Sequence, residues 1–277
     1  MCDTSAVEAS DLIEVDLGPR ARGYFTTRGL RARPVPDPNG VGTRPQVGEG
    51  GSGGRDDGAS YGGWNLALHV GDDPQRVHCH RRRLEELLGV DRGRHLAWMN
   101  QVHSAVVATA QAGEVPTADA LVLDSRTGGA PAGCCVLVAD CVPVLLASRD
   151  GALTAAVHAG RRGMLDGVVP ATVDSLRRGG VDPADLWAAV GPSICGSCYE
   201  VPEEMLALSA QREPACASRT SWGTPGLDVA AGVLAQLERA GVGHISAGQW
   251  CTYEDPRFFS YRRDGVTGRL AGIGVPR

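Results

Sequence analysis

The sequence predicts a single α+β domain, a layered α/β arrangement with a strand-rich mixed-sheet core flanked by helices. Three observations lead there. Short apolar runs broken by turn residues crowd residues 96–160. Helical apolar spacing stands on both sides of that stretch. No internal repeat and no interdomain linker divides the 277 residues, so one domain over 1–277 is expected.

Taken in order, "YFTTRG" (Tyr24–Gly29) reads as a first strand. The stretch from about 30 to 60 contains "GEGGSGGRDDG" and has little apolar periodicity, which predicts a flexible surface insertion rich in Gly and Pro. In "DDPQRVHCHRRRLEELLGV", Val77, Leu84, Leu87 and Leu88 have helical spacing. Asp72 or Asp73 can cap that helix, and Pro74 suits its first turn. Six strands are expected next: "LAWMNQVH", "SAVVATA", "ADALVLD", "CCVLVA", "VPVLLA" and "LTAAVHA". "MLDGVVPATVDSLRR" has a helical pattern that Pro170 must kink or break. "LWAAVGP" reads as a strand, "PEEMLALSA" as a helix, and "LDVAAGVLAQLERAG" as an amphipathic helix stopped by Gly241. The end, "FFSYRRDGVTGRLAGIGV", reads as a hairpin around Asp264-Gly265.

Composition narrows the function classes. Hydrophobic residues make up 43% and charged residues 21%, so the chain is globular and can bury a core without disulfides or metals. A net charge of −5 argues against nucleic acid or an anionic membrane as the main partner. The chain contains no lysine, which excludes a Schiff-base lysine and a Walker phosphate loop. "MCDTSAVEASDLIEVDLG" is acidic and lacks an apolar segment, so no secretory signal is read there. The longest apolar run, "CCVLVADCVPVLLA", is too short and interrupted to span a bilayer. A cytoplasmic protein is expected, with its nine cysteines mostly reduced.

That same run raises the chemical question, because Asp140 and Cys141 interrupt a buried pattern. A tight corner between two strands would explain them, and so would a reactive site. His103, Cys141 and His158 all end strands beside turn residues. If those strands are neighbours, two imidazoles and a thiol converge, a donor set that suits zinc. Three protein ligands would leave a fourth position open, as catalytic sites do. Spacing alone fits three ordinary semi-buried polar residues as well.

The ordered motifs "NQVHSAVV", "ADALV", "VADCVPVLL", "AAVHAGRRG", "AVGPSICGSCYEVPEE" and "CTYEDPRFFSYRRDGVTGR" resemble the YfiH-like family, also called the multicopper polyphenol oxidase or laccase-domain family. "FTTRG" and "GGWNLALHVGDDP" extend the resemblance over nearly the whole chain except the insertion. It implies a layered fold akin to Cys–His hydrolase-like proteins. It implies zinc held by His103, Cys141 and His158, with Asp140 stabilising the corner or acting beside the metal. It also implies phosphorolysis of adenosine, inosine and methylthioadenosine, together with adenosine deamination. The partners would be purine nucleosides and inorganic phosphate. One departure is plain: the family usually reads "HAGWRG", whereas Arg161 stands here in place of the aromatic residue.

Further candidates surround that set. Arg28, Arg162, Arg262 and Arg263 are candidates for an anion site, since arginine grips phosphate through paired donors. Arg162 follows His158 closely on a Gly-flanked turn and is assigned to phosphate. Phe259 and Tyr261 are candidates to stack on a purine, against the plainer reading of core residues. "CGSC" (Cys195–Cys198) lacks a second C-x-x-C and so does not read as a zinc knuckle. "HCH" (His78–His80) resembles a copper motif, but residues two apart on a helix face different ways, and a solvated helix start is expected. Seven histidines are too few for a multicopper cluster, so copper chemistry would be a side reaction. Two other readings remain: a metal-free Cys141–His158 amide hydrolase acting in cell-wall precursor editing, and a non-enzymatic binding module.

Overall fold

The structure, a computed structural model, describes residues 7–29, 60–90 and 93–277. The insertion expected at about 30–60 lies, up to residue 59, outside the described residues. The chain begins with β1 (Leu12–Val15), β2 (Ala21–Thr26), α1 (Pro74–Leu87), β3 (Leu96–Ala97), β4 (Val107–Thr109) and β5 (Ala120–Asp124). Its centre holds β6 (Gly133–Val138), β7 (Val142–Ser148), β8 (Leu153–Ala159), α2 (Arg161–Asp166), α3 (Val168–Arg178) and β9 (Leu186–Val190). It closes with α4 (Glu203–Arg212), β10 (Ala217–Arg219), β11 (Pro225–Leu227), α5 (Val229–Arg239), β12 (His244–Ala247), α6 (Tyr261–Asp264) and β13 (Leu270–Pro276).

Two mixed sheets stack between helices. One has the order β1-β2-β13-β6-β3, the other β12-β9-β7-β8-β5-β4. Side-chain alternation builds the layers. On β6, Cys134, Val136 and Val138 face the other sheet, where they meet Leu121, Leu145 and Ala156. Cys135 and Leu137 face the opposite way, toward Leu84 of α1, Trp64 and Trp98. On β7, Val142, Val144 and Leu146 pack with Val169, Val173 and Leu176 of α3 and Val233 and Leu237 of α5. Strands covered on both faces read as continuous apolar runs, which is why β6, β7 and β8 are plain in the sequence.

Several local expectations are corrected. β1 precedes the strand taken as first; its Leu-Ile-Glu-Val pattern is only half-buried at a sheet edge. "LAWMNQVH" contributes only the two-residue β3 and then an isolated bridge at Asn100. The break expected at Pro170 falls earlier, at Gly167 with φ +89, so Pro170 sits in the first turn of α3, where a missing N–H costs no helix bond. No hairpin forms at Asp264-Gly265. Ser260 accepts from Arg263 N, α6 forms one turn, and Gly265 ends it at φ +69. "HCH" is not a solvated helix start: Cys79 and His80 are buried, and His80 Nδ1 lies 2.9 Å from Asn65 O. Asp73 is the cap of α1, accepting from Gln75 N.

One crossing matters most for function. β6 belongs to one sheet and β7 to the other, so Ala139–Cys141 is the corner where the chain changes sheets. No helix among the described residues is long and apolar enough to cross a membrane.

Candidate functional site

Asp140 turns that corner in the left-handed region, at φ +87. His103 has φ +60, and these two are the non-glycine residues with positive φ among the described residues. Strained backbone of this kind persists only where surrounding contacts over-determine it. Here they do. Asp140 Oδ1 accepts from Thr252 Oγ1 at 2.6 Å, and its Oδ2 accepts from Arg262 N at 2.6 Å.

His103 is held by Asp119, a fully buried carboxylate just before β5. The backbone N–H groups of Val102, His103 and Ser104 donate to its two oxygens at 3.3, 2.9 and 2.6 Å, and Ser104 Oγ donates at 2.7 Å. Successive N–H groups of this kind form an anion-binding concavity. Asp119 Oδ1 also lies 2.8 Å from His158 Nδ1 on β8. With Nδ1–H donated there, Nε2 is the nitrogen His158 keeps for a ligand. Burial works against the carboxylate, but the bonds from His158 and Ser104 hold it well below the usual carboxylate range. Asp119 stands within "ADALV" and is not among the site residues expected from the sequence. The available signal was a lone acid opening a strand that is otherwise apolar.

The structure brings His103, Cys141 and His158 together, with their donor atoms all within 4.8 Å of one another. Cys141 Sγ lies 3.7 Å from His103 Nε2, and the imidazole rings meet edge-on with centroids 4.7 Å apart. Burial opposes a thiolate at Cys141, but His158 beside it and hydrogen bonds from both imidazoles bring its pKa down to about 6. Burial likewise opposes the His158 imidazolium, but Cys141 and Asp119 raise its pKa to about 9. Without metal the site is therefore a thiolate–imidazolium pair near neutral pH. In metal-stripped protein, alkylation of Cys141 should rise with pH through about 6 and then level. An ordinary thiol would keep accelerating through about 8.5. Iodoacetamide labelling read by peptide mass spectrometry checks this.

Gly160 tests whether the cluster is shaped for an ion. A Cβ there would lie 2.7 Å from His103 Cδ2 and 3.0 Å from Cys141 Sγ. Its φ of −72 suits alanine, so a substitution would act through crowding and not through backbone strain. Gly160→Ala should preserve the fold and weaken metal binding by about 1–3 kcal/mol, roughly ten- to a hundredfold, as overpacking does. Competition with a chromogenic chelator measures that shift. The two nitrogens, one sulfur, buried carboxylate behind an imidazole and glycine beside the ligands all fit a zinc ion.

These groups open into a cavity of about 540 Å³ that Arg161, Arg262, Arg269, Tyr199 and Tyr261 also line. The Arg262 guanidinium sits 4.9 Å from the Tyr199 ring centroid and donates to Glu200 O at 2.9 Å. The Arg161 guanidinium has no hydrogen-bond or ion-pair partner among the described residues.

Of the other expected site residues, Asp140, Arg262 and Tyr261 line the cavity, and Arg162, Arg28 and Phe259 do not. Arg162 is exposed on α2, and the neighbouring Arg161 is the cation that this turn brings to the cavity. Arg28 is buried with its guanidinium 4.9 Å from the Phe259 ring, 4.0 Å from Asp264. Phe259 is fully buried core. Arg263 donates to Thr252 O, Tyr253 O, Asp255 O and Phe258 O, and pins the loop before α6.

The family described as multi-copper polyphenol oxidoreductase laccase matches residues 51–275. A purine nucleoside phosphorylase of Streptomyces coelicolor is 53% identical over 212 residues, 75% of this chain and 86% of that protein. A purine nucleoside phosphorylase of Streptomyces griseus is 48% identical over 219 residues, covering 77% and 87%. Among solved structures, protein YlmD of Geobacillus stearothermophilus is similar with a TM-score of 0.77 at 29% identity, covering 98% of each chain. A Neisseria meningitidis protein follows with a TM-score of 0.75 at 31% identity, covering 96% of this chain and 99% of that one.

Proposed function

Because this chain belongs to the multi-copper polyphenol oxidoreductase laccase family, we propose that it is a zinc-dependent purine nucleoside phosphorylase that also deaminates adenosine. The observation carrying this is the convergence of His103, Cys141 and His158 at a cavity that three arginines share. Its substrates would be adenosine, inosine or methylthioadenosine with inorganic phosphate, a reading supported by relatives of 53% and 48% identity that carry the name purine nucleoside phosphorylase.

His103, Cys141 and His158 would hold the zinc, which when bound supplies a Lewis acid at the cavity floor. The remaining work falls to the chain's own groups. Asp119 fixes the His158 tautomer and the His103 backbone together, so both imidazoles are preorganised. Phosphate enters as an anion, and Arg161, Arg262 and Arg269 provide charge-assisted donors in a chain without lysine. Asp140 positions Arg262 by accepting from its backbone N–H. Tyr199 and Tyr261 offer faces for a purine. Deamination would use water where phosphorolysis uses phosphate, so the arginines matter to one reaction and not to the other.

Inosine cleavage across a phosphate titration, run beside adenosine deamination, tests this. Arg161→Ala should raise the half-saturating phosphate concentration about ten- to a hundredfold, the loss of one charged hydrogen bond of about 1.5–3 kcal/mol. Deamination should change little. A parallel fall in both activities with unchanged phosphate dependence contradicts the phosphate role.

The thiolate–imidazolium pair favours a second reading, the Cys–His amide hydrolase. It predicts amide turnover by metal-free protein, and it gives His103 no part in the chemistry.

A further inference from the structure

A second cluster of donors lies outside this site. Cys195, Cys198, Cys251 and Glu254 each offer a ligand atom, and those atoms all lie within 4.8 Å of one another. The three thiols are free, and Cys198 is buried. We propose that these four residues form a structural zinc site that clamps the loop carrying Ile194 and Tyr199, which line the cavity, to the loop from Cys251 to Glu254.

"CGSC" has no second C-x-x-C to pair with in the sequence. Its complement is present as C-x-x-E, "CTYE", from Cys251 to Glu254. Three sulfurs and one carboxylate oxygen make four donors, the number a tetrahedral structural zinc takes, with no open position for a substrate. Thiolates select thiophilic ions, so calcium and magnesium are excluded as occupants. The backbone already aligns the two halves. Ser193 and Cys251 form a parallel bridge, and Thr252 N donates to Ser193 O at 3.0 Å. Glycine at 196 lets the first loop pack closely, since a Cβ there would lie 2.5 Å from Ser218 Oγ.

The clamp would bear on the first site through two hydrogen bonds to Asp140 and two cavity-lining residues. Ile194 N donates to Asp140 O at 3.0 Å, and Thr252 Oγ1 donates to Asp140 Oδ1. Ile194 and Tyr199 line the cavity itself. An ion at the cysteines thus braces the corner that carries Cys141 without touching the reacting atoms. Binding displaces the thiol protons and joins segments more than fifty residues apart, which stabilises the folded chain.

The proposal is independent of the zinc assignment at His103, Cys141 and His158, and the test keeps the two apart. Zinc is counted by elemental analysis in purified full-length wild type, Cys141→Ala, Cys251→Ser and the double variant. Two ions, one, one and none are expected. If only the cysteine cluster binds, Cys141→Ala equals wild type and Cys251→Ser holds none. Equal zinc in Cys251→Ser and wild type overturns the second site, as does a Cys195–Cys198 disulfide found by unreduced peptide mapping of the zinc-bearing protein. Since Cys251→Ser could impair folding, Glu254→Gln at an exposed position provides a second arm. It should release one zinc to a chelator at least tenfold faster than wild type, and unchanged release overturns the four-donor site. Cobalt loading of the Cys141→Ala variant should give an intense tetrahedral thiolate spectrum, and its absence is equally contrary.

Discussion

Cys141→Ala should lower phosphorolysis of inosine by about a thousandfold or more while the protein remains folded. The thiol is the sulfur donor of the proposed zinc set, 3.7 Å from His103 Nε2. Metal chemistry contributes several kcal/mol to a transition state, and about 4 kcal/mol corresponds to three orders of magnitude. The fold should survive because Cys141 is only half-buried and contributes little to the core between the sheets. Both purine release and zinc content should fall together. A variant that holds as much zinc as wild type, or keeps most of its turnover, removes Cys141 from the site.

Asp119→Ala should damage stability and metal binding together. The carboxylate is fully buried and accepts from three backbone N–H groups, the Ser104 hydroxyl and His158. Removing it orphans donors that cost about 1–3 kcal/mol each when left unpaired. It also leaves the His158 partner without its counter-charge, and breaking such a buried pair costs about 3–5 kcal/mol. Loss of the group that orients a ligating histidine typically weakens metal affinity about ten- to a hundredfold. The pH dependence has a definite sign. Since the folded carboxyl is held below its ordinary range, its stabilisation is present above the unfolded pKa and is lost as pH falls through the folded value. The acid limb of wild-type stability should therefore flatten in Asp119→Ala. Urea unfolding from pH 7 into the acid range, for both proteins, measures the loss and the limb.

How much of this was legible in the sequence depended on the range of the contacts. β6, β7 and β8 could be read because both faces are buried and nearly every residue is apolar. β1 could not, because a half-buried edge strand carries a weak pattern. The Asp-Gly pair at 264–265 is a hairpin signal, but Ser260 and Arg263 close a helical turn first. The three expected zinc ligands stand at ordered motifs, and the resemblance those motifs carry named them. Asp119 offered only a lone acid before an apolar strand. Its partners lie 15 to 39 residues away, and no local pattern marks an acceptor for distant N–H groups. The Arg161–Arg162 pair failed at finer grain: adjacent residues on a helix point in different directions, and spacing cannot say which enters the cavity.

The most direct measurement is inosine turnover by the zinc-loaded wild type with and without inorganic phosphate, with both products identified by mass. The account predicts hypoxanthine and ribose 1-phosphate in equal amounts, formed only when phosphate is present and lost on zinc removal. Cleavage to free ribose independent of phosphate, or undiminished turnover after zinc is stripped, would contradict it.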